Sequence, residues 1–370
     1  AAVLAIATNP DRRDILGHPL CLLLGLFVAY VAIVNVANLF LTSAGVGVDR
    51  AVLPLRRGDY MEPFVYSAFY VFNYVYFCGV LCLGRGPGET ETYERFWRLL
   101  LYATAASLML QAALATLGLG KDYRTYRTIL FFNNPNQLGY YALCAATIMM
   151  LGHTLSRRLL PLTLIAYVLA LYLSALALSK AGLLAVLALP FIYLINGPTR
   201  SATRIITIAA GAALVFVVAD QVSDSIFTNL EKRFASFGEQ GDDTLAGRAY
   251  DRIVNYPQYL AFGAGEGLRF RFDRALEIHS LFGTLLFSYG VVGASIIAVF
   301  VARLVALAGF GNALYVVPVA LYNLTHNGIR SPLMWLLFAM LTLEALRSMR
   351  TRAVADVPGP ALPLDRPQPS

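Results

Sequence analysis

The stretch LCLLLGLFVAYVAIVNVANLFL at positions 20–41 decides the class of this protein, because it carries no Asp, Glu, Lys or Arg. A helix rises 1.5 Å per residue, so about 20 mostly apolar residues cross a hydrocarbon core of about 30 Å. Outward from that stretch, comparable runs recur near 62–83, 97–119, 137–152, 159–178, 181–196, 204–220, 280–303, 312–325 and 332–347. The runs at 181–196, 204–220, 312–325 and 332–347 are short, and predict tilted, broken or bilayer-thinning segments. The reading is an all-α polytopic integral membrane protein with about ten transmembrane helices and one large outward, periplasmic loop.

Composition agrees. The 370 residues are 58% hydrophobic and 14% charged, whereas soluble domains carry about a quarter charged residues. The length would hold two or three soluble domains, but the apolar runs are too long and too frequent for that. A net charge of +7 is explained by positive-inside loops and contacts to anionic lipid, without nucleic acid. Cys21, Cys78, Cys82 and Cys144 all fall inside apolar runs and read as small buried hydrophobes, with no metal or disulfide spacing. Residues 1–7 are apolar but lack a basic n-region and a cleavage site, so they read as the end of a longer helix and not a signal peptide.

Residues 1–352 form a single transmembrane domain that includes the loop at 221–279; residues 353–370 are expected to be a disordered tail, Pro-rich from 357. Arg12, Arg13, Arg85, Arg95, Arg98, Arg157, Arg158, Arg200, Arg204, Arg303, Arg347, Arg350 and Arg352 fall in segments that alternate with 42–61, 120–136, 179–181, 221–279 and 326–331. With the long loop set aside, the first set is the more basic, which places it in the cytoplasm and the second set outside. The 221–279 loop is too long to be mere connection. Asp243-Thr244 starts a predicted helix over 245–259, and Gly263-Ala264-Gly265-Glu266-Gly267 reads as a flexible turn.

Three outward segments carry chemistry-bearing residues. The first, 121–136, holds Lys121, Arg124, Arg127 and the run Phe132-Asn133-Asn134-Pro135-Asn136-Gln137. The second is Ser179-Lys180, and the third is the long loop, ending at His279. Arg248 and Arg252 are four apart and would share a helix face, where two guanidinium forks suit a diphosphate; a solvated basic face fits the same spacing. Arg269, Arg271 and Arg274, interleaved with Phe270 and Phe272, fit interfacial anchoring or further phosphate contact. His279 opens a hydrophobic helix, where an imidazole is matched to proton transfer near neutral pH, although a lone His there is often structural. His326, in Asn323-Leu324-Thr325-His326-Asn327-Gly328-Ile329-Arg330, is a second candidate. No carboxylate sits in the middle of an apolar run, which counts against a proton-coupled transporter. No phosphate-binding glycine loop is present. Asp242-Asp243 fits a helix cap better than a cation site.

The order Asn-Pro-Asn-Gln-Leu-Gly at 134–139, Leu178-Ser179-Lys180-Ala181-Gly182, Gly247-Arg248, Gly263-Ala264-Gly265-Glu266-Gly267, His279-Ser280-Leu281-Phe282 and Tyr289-Gly290-Val291-Val292-Gly293 resembles the O-antigen ligase and O-antigen polymerase superfamily, from about 133 to 335. The resemblance implies a bacterial inner-membrane glycosyltransferase of ten to fourteen helices with its active site facing the periplasm. It implies inverting, metal-independent transfer of a glycan from an undecaprenyl-diphosphate-linked donor, without a cofactor, to a hydroxyl of lipid A-core (ligase) or of another glycan repeat (polymerase). Membrane lipid is then the remaining partner. By the same resemblance His279 is the essential His and Arg248 the loop Arg that contacts diphosphate. In the mechanism this leads us to expect, Arg252, together with Lys180, Arg124 or Arg127, would help neutralise the leaving diphosphate, and Asn136, His326 and Arg330 are candidate accessory residues. Lys180 stands where the family usually has Arg, which removes the bidentate fork. Tyr250 and Tyr256 stand nearest to where the family often has Trp. A lipid-linked sugar transporter or flippase is the competing class, and would need a charged internal path and repeat symmetry, neither of which the chain displays.

Overall fold

The computed structural model describes residues 1–47, 60–85, 89–122, 127–156, 159–196, 247–272 and 276–355. The chain is a helical membrane protein. Six helices among the described residues are long and apolar enough to cross a bilayer, Pro19–Ser43, Glu62–Gly84, Glu91–Thr116, Pro135–Ser156, Gly290–Ala308 and Pro332–Met349. Three more apolar helical segments, Leu160–Leu176, Lys180–Asn196 and Phe310–Tyr322, are shorter. The run at 204–220 and the first part of the long loop, 221–246, with Asp242, Asp243 and Thr244, lie outside the described residues.

In chain order the helices are α1 Ala2–Thr8, α2 Arg12–Leu16, α3 Pro19–Ser43, α4 Glu62–Gly84, α5 Glu89–Thr116, α6 Pro135–Ser156, α7 Leu160–Leu176 and α8 Lys180–Asn196. They continue as α9 Asp251–Asn255, α10 Leu281–Ser288, α11 Gly290–Ala308, α12 Phe310–Leu314, α13 Val317–Tyr322 and α14 Pro332–Ala355. A two-residue antiparallel ribbon, Lys121–Asp122 with Arg127–Thr128, is the one pair of strands among the described residues. Local chemistry sets the starts. Pro19 opens α3 at a position whose N–H needs no partner, and the His18 side chain accepts from the Leu20 amide. Ser280 caps α10 by accepting from the Gly283 amide at 3.2 Å.

The bundle is built around α6, the helix with the largest buried share (83%) among the six long spans. It packs against α5, α7, α8 and α14, so its N-terminal residues are carried to the middle of one end of the bundle. A second group, α3, α4 and α11, joins through α14.

The predicted span at 280–303 is broken. α10 ends at Ser288, Gly290 takes φ +65°, and α11 starts afresh. A break leaves backbone groups unsatisfied, which hydrocarbon does not tolerate. Loop 260–265 supplies the partners: Ala264 and Gly265 amides donate to the Phe287 and Ser288 carbonyls at 2.8 Å, and the Val291 amide donates to the Leu260 carbonyl at 2.7 Å. The Gly263-Ala264-Gly265-Glu266-Gly267 run is therefore a packed strap and not the flexible turn its composition suggests. Gly263, Gly265 and Gly267 all have positive φ, and a Cβ on Gly263 would fall on the Ser288 carbonyl. Polar residues of the opening stretch hold the strap from the other side. Asn35 accepts from the Glu266 amide at 2.8 Å, and Asn38 donates to the Gly263 carbonyl at 3.2 Å. The span near 312–325 is likewise divided, between α12 and α13.

Gly290 and Gly309 both sit at positive φ, but a Cβ on Gly290 would meet the Ala261 carbonyl while one on Gly309 would meet nothing within 4 Å. Gly309→Ala should cost only the backbone strain, about 1–3 kcal/mol. Gly290→Ala should cost visibly more, read as a larger fall in melting temperature of the detergent-solubilised protein; equal losses would mean that the strap is not tightly packed.

Candidate active site

A cavity of about 580 Å³ opens where the start of α6, the end of the long loop and the 322–331 segment meet. Arg248, Glu277, His279, His326 and Arg330 line it, together with Asn134, Asn136, Gln137, Phe132 and Tyr141. Residues more than a hundred positions apart thus share one space.

The expected helix over 245–259 is much shorter. Ala249 takes φ +57°, which ends helical geometry, and α9 covers only Asp251–Asn255, followed by a 3-10 turn at Pro257–Tyr259. Arg248 therefore lies in the turn before the helix and does not share a face with Arg252. Its guanidinium donates to the Thr325 carbonyl at 2.6 Å, and its carbonyl accepts from the His279 amide at 3.4 Å. Backbone pairing thus sets Arg248 and His279 side by side at the cavity. Arg252 goes elsewhere. It is 4% exposed and lies over the Phe272 ring at 4.6 Å, within a small aromatic core outside the cavity lining.

Arg271 occupies the same aromatic core. Its guanidinium lies over Tyr259 at 4.6 Å and donates to the Ala264 carbonyl and to Asn38. Burial pulls its pKa down to about 10. Residues Arg269–Arg271 form a 3-10 turn and Phe272 is buried, so Arg271 and Phe272 are core residues and not interfacial anchors.

Behind the cavity wall, Arg127 donates to the Asn136 Oδ1 at 2.7 Å and to the Ala177 carbonyl at 2.9 Å. Tyr322 bonds the Asn136 carbonyl at 2.8 Å and reaches the Ser179 hydroxyl at 3.2 Å. Lys180 follows as the first residue of α8, buried at 8% exposure. Arg127 braces this wall, and neither it nor Lys180 is among the cavity-lining residues. Arg124 and Arg274 lie outside the described residues.

His326 packs against the rings of Tyr140 and Tyr322, with centroids 5.0 and 5.4 Å away. Burial, then the neighbouring His279, Arg330 and Arg248, lower its pKa to about 4. It is a neutral imidazole at pH 7.

Two carboxylates that the sequence did not bring forward complete the site. Arg330 donates Nε to Glu266 at 3.0 Å and Nη1 to Glu277 at 3.1 Å, and stacks over the Tyr66 ring at 4.0 Å. Glu277 also takes Arg269 at 2.9 Å and the Tyr66 hydroxyl, and Arg269 reaches Glu62 at 3.0 Å. Burial pushes the Glu277 carboxyl up, but Arg330, the Tyr66 hydroxyl and Arg269 together hold it below the ordinary carboxylate value. Burial dominates at Glu266, which is raised in spite of Arg330. Arg330 itself is held firmly charged by both acids against its own burial. The available sequence signal for Glu277 was its place two residues before His279. Among the described residues, no three His, Cys, Asp or Glu side chains gather as metal ligands.

Removing Arg330 leaves the buried Glu266 without its cation, while Glu277 keeps Arg269. Arg330→Met should cost about 3–5 kcal/mol. Adding Glu266→Gln should return part of that loss in a double-mutant cycle; strictly additive losses would show that the pair is not coupled. His326 gives a pH signature. Its folded pKa lies below the unfolded value of 6.5, so the unfolded chain binds more protons between 6.5 and about 4. Stability should fall on acidification through that window, by roughly 1–3 kcal/mol from this group. Melting curves of wild type and His326→Gln at pH 6.5 and 4.5 should differ accordingly, with a smaller acid loss in the variant. Comparison of the chain with protein-family models and with curated proteins finds no match.

Proposed function

We propose that this protein is a membrane-embedded glycosyltransferase of the O-antigen ligase and polymerase type. It moves a glycan from an undecaprenyl-diphosphate carrier to an acceptor hydroxyl at the periplasmic face of a bacterial inner membrane. The observation that carries the reading is the juxtaposition of Arg248 and His279, joined through backbone and lining one cavity. The ligase-like form, with lipid A-core as acceptor, and the polymerase form, with a second glycan repeat, share this chemistry.

In the proposed reaction the acceptor oxygen attacks the anomeric carbon from the face opposite the diphosphate. The bond from that carbon to the diphosphate oxygen breaks, and its electron pair leaves with the diphosphate. Configuration inverts. His279 takes the acceptor proton, and a neutral His326 beside it sets up no repulsion against the charge that arrives. Arg248 faces the charge that builds on the leaving diphosphate, where a fixed donor counts most. Arg252, enclosed with Phe272, has no part in this step. The carboxylates Glu266 and Glu277 hold Arg330 in place and keep the local charge from becoming wholly positive. The energy of the sugar–diphosphate bond drives transfer, so no nucleotide site is required.

His279→Ala should abolish release of carrier diphosphate from a defined undecaprenyl-diphosphate glycan in reconstituted vesicles, with folding and insertion retained. Arg248→Lys, which keeps the charge and loses the fork, should slow release by about tenfold or more. Full activity in the His279→Ala variant would remove the proton-transfer role, and an unchanged rate in the Arg248→Lys variant would remove the diphosphate role of Arg248.

A further inference from the structure

Four amide side chains line the cavity: Asn327, whose nitrogen donates to the Thr284 hydroxyl at 3.0 Å, and, around the start of α6, Asn134, Asn136 and Gln137, which form one wall. The orientation of each of these last three is dictated by an obligatory donor. Gln137 Oε1 accepts from the Asn133 backbone amide at 3.1 Å, Asn134 Oδ1 accepts from the Gln137 backbone amide at 3.0 Å, and Asn136 Oδ1 accepts from Arg127 at 2.7 Å. A backbone N–H and a guanidinium can only donate, so the oxygen of each amide must be the atom that meets them. The NH₂ group of each amide is therefore turned to the ligand side as a donor, with no acceptor found for it among the described residues, while the oxygen is already engaged by one bond. This part of the cavity is a row of neutral donors. Phe132 and Tyr141 line the cavity too, with ring centroids 5.4 Å apart.

We propose that this amide wall seats the glycan and selects sugars carrying a carbonyl or carboxylate oxygen, such as an acetamido group or a uronate. The inference rests on the transferase reading above and assigns the part of the substrate that these residues meet. Neutral N–H donors match oxygens that offer lone pairs and no hydrogen, and they reward such a substituent more than a hydroxyl, which needs an acceptor as well. The two rings offer an apolar surface for the C–H face of a pyranose, in keeping with pockets that combine aromatic walls with a few oriented polar groups. The doubly charged diphosphate is matched instead by the charged fork of Arg248.

The orientation argument also supplies the test. Asn134→Asp with Gln137→Glu keeps the oxygens that accept from the backbone and replaces both NH₂ donors by acceptors, so the helix start stays satisfied. Binding is measured by saturation-transfer NMR on the full chain in lipid nanodiscs, with N-acetylglucosamine, glucuronate, glucose and pyrophosphate as separate probes. Wild type should bind N-acetylglucosamine or glucuronate more tightly than glucose, and the better of the two identifies the substituent. The double variant should lose about tenfold or more in affinity for N-acetylglucosamine, a neutral sugar insensitive to the added charge, with glucose binding little changed. Equal binding of glucose and N-acetylglucosamine to wild type, or an unaltered preference in the variant, overturns the proposal. If sugars fail to bind while pyrophosphate binds and weakens in Arg248→Gln, the amide wall is refuted and the transferase reading stands. If sugars show the expected pattern and pyrophosphate does not bind, the wall stands and the diphosphate role fails.

Discussion

A low-dielectric interior does not forgive an unpaired polar group, and the end of this protein that carries the cavity is organised by that constraint. Breaking the span near Tyr289 frees carbonyls at the end of α10 and an amide at the start of α11. The backbone of residues 260–265 satisfies them. The strap can approach closely enough because glycines at 263, 265 and 267 have no Cβ and tolerate positive φ. Once docked, it places Glu266 beside Arg330. An ion pair thus depends on a backbone seal, and the seal depends on three residues without side chains.

The same logic explains the polar residues inside an otherwise apolar opening stretch. Asn35 and Asn38 are buried, yet both are occupied with the strap, and Asn38 with Arg271 as well. Buried polar groups of this kind specify one docking arrangement, because any other would leave them unsatisfied. Glu62, Glu266 and Glu277 alternate with Arg269 and Arg330 in a single network. The network runs from α4 through the loop to the turn Gly328–Arg330 and walls one side of the cavity. Its value lies less in net stability, since desolvation offsets much of the attraction, than in fixing where Arg330 sits relative to Arg248 and the two histidines.

Much of the candidate site was legible as residue types, and much less as geometry. The Arg248 and His279 segments and the Asn-Pro-Asn-Gln segment could be read from the chain because chemistry-bearing side chains stand out against apolar runs. The helix expected to pair Arg248 with Arg252 was not realised, because Ala249 turns left-handed and α9 begins only at Asp251. Spacing of four specifies a shared face only if the intervening backbone is helical. Arg252 was read as a diphosphate ligand or a solvated cation, and Arg271 as an interfacial anchor or a further phosphate contact. They are buried because flat guanidinium groups can lie on aromatic rings, a pairing between residues that sequence proximity does not reveal. Glu266 looked like part of a flexible turn, since glycine-rich composition cannot distinguish a mobile turn from a tightly packed one.

The sequence by itself determined that this is a helical membrane protein, because uninterrupted apolar length is a property of the chain alone and hydrocarbon thickness converts it to a span. It also determined which residue types could do chemistry outside those spans. Only the tertiary structure decided which of them meet: it brought His279 to Arg248, set Glu277 and Arg330 together, and turned Arg252 into an aromatic core. It also fixed three amides with their nitrogens turned to the ligand side. Those outcomes follow from satisfying every buried donor, acceptor and charge at once, a condition on the whole fold that no local stretch of residues contains.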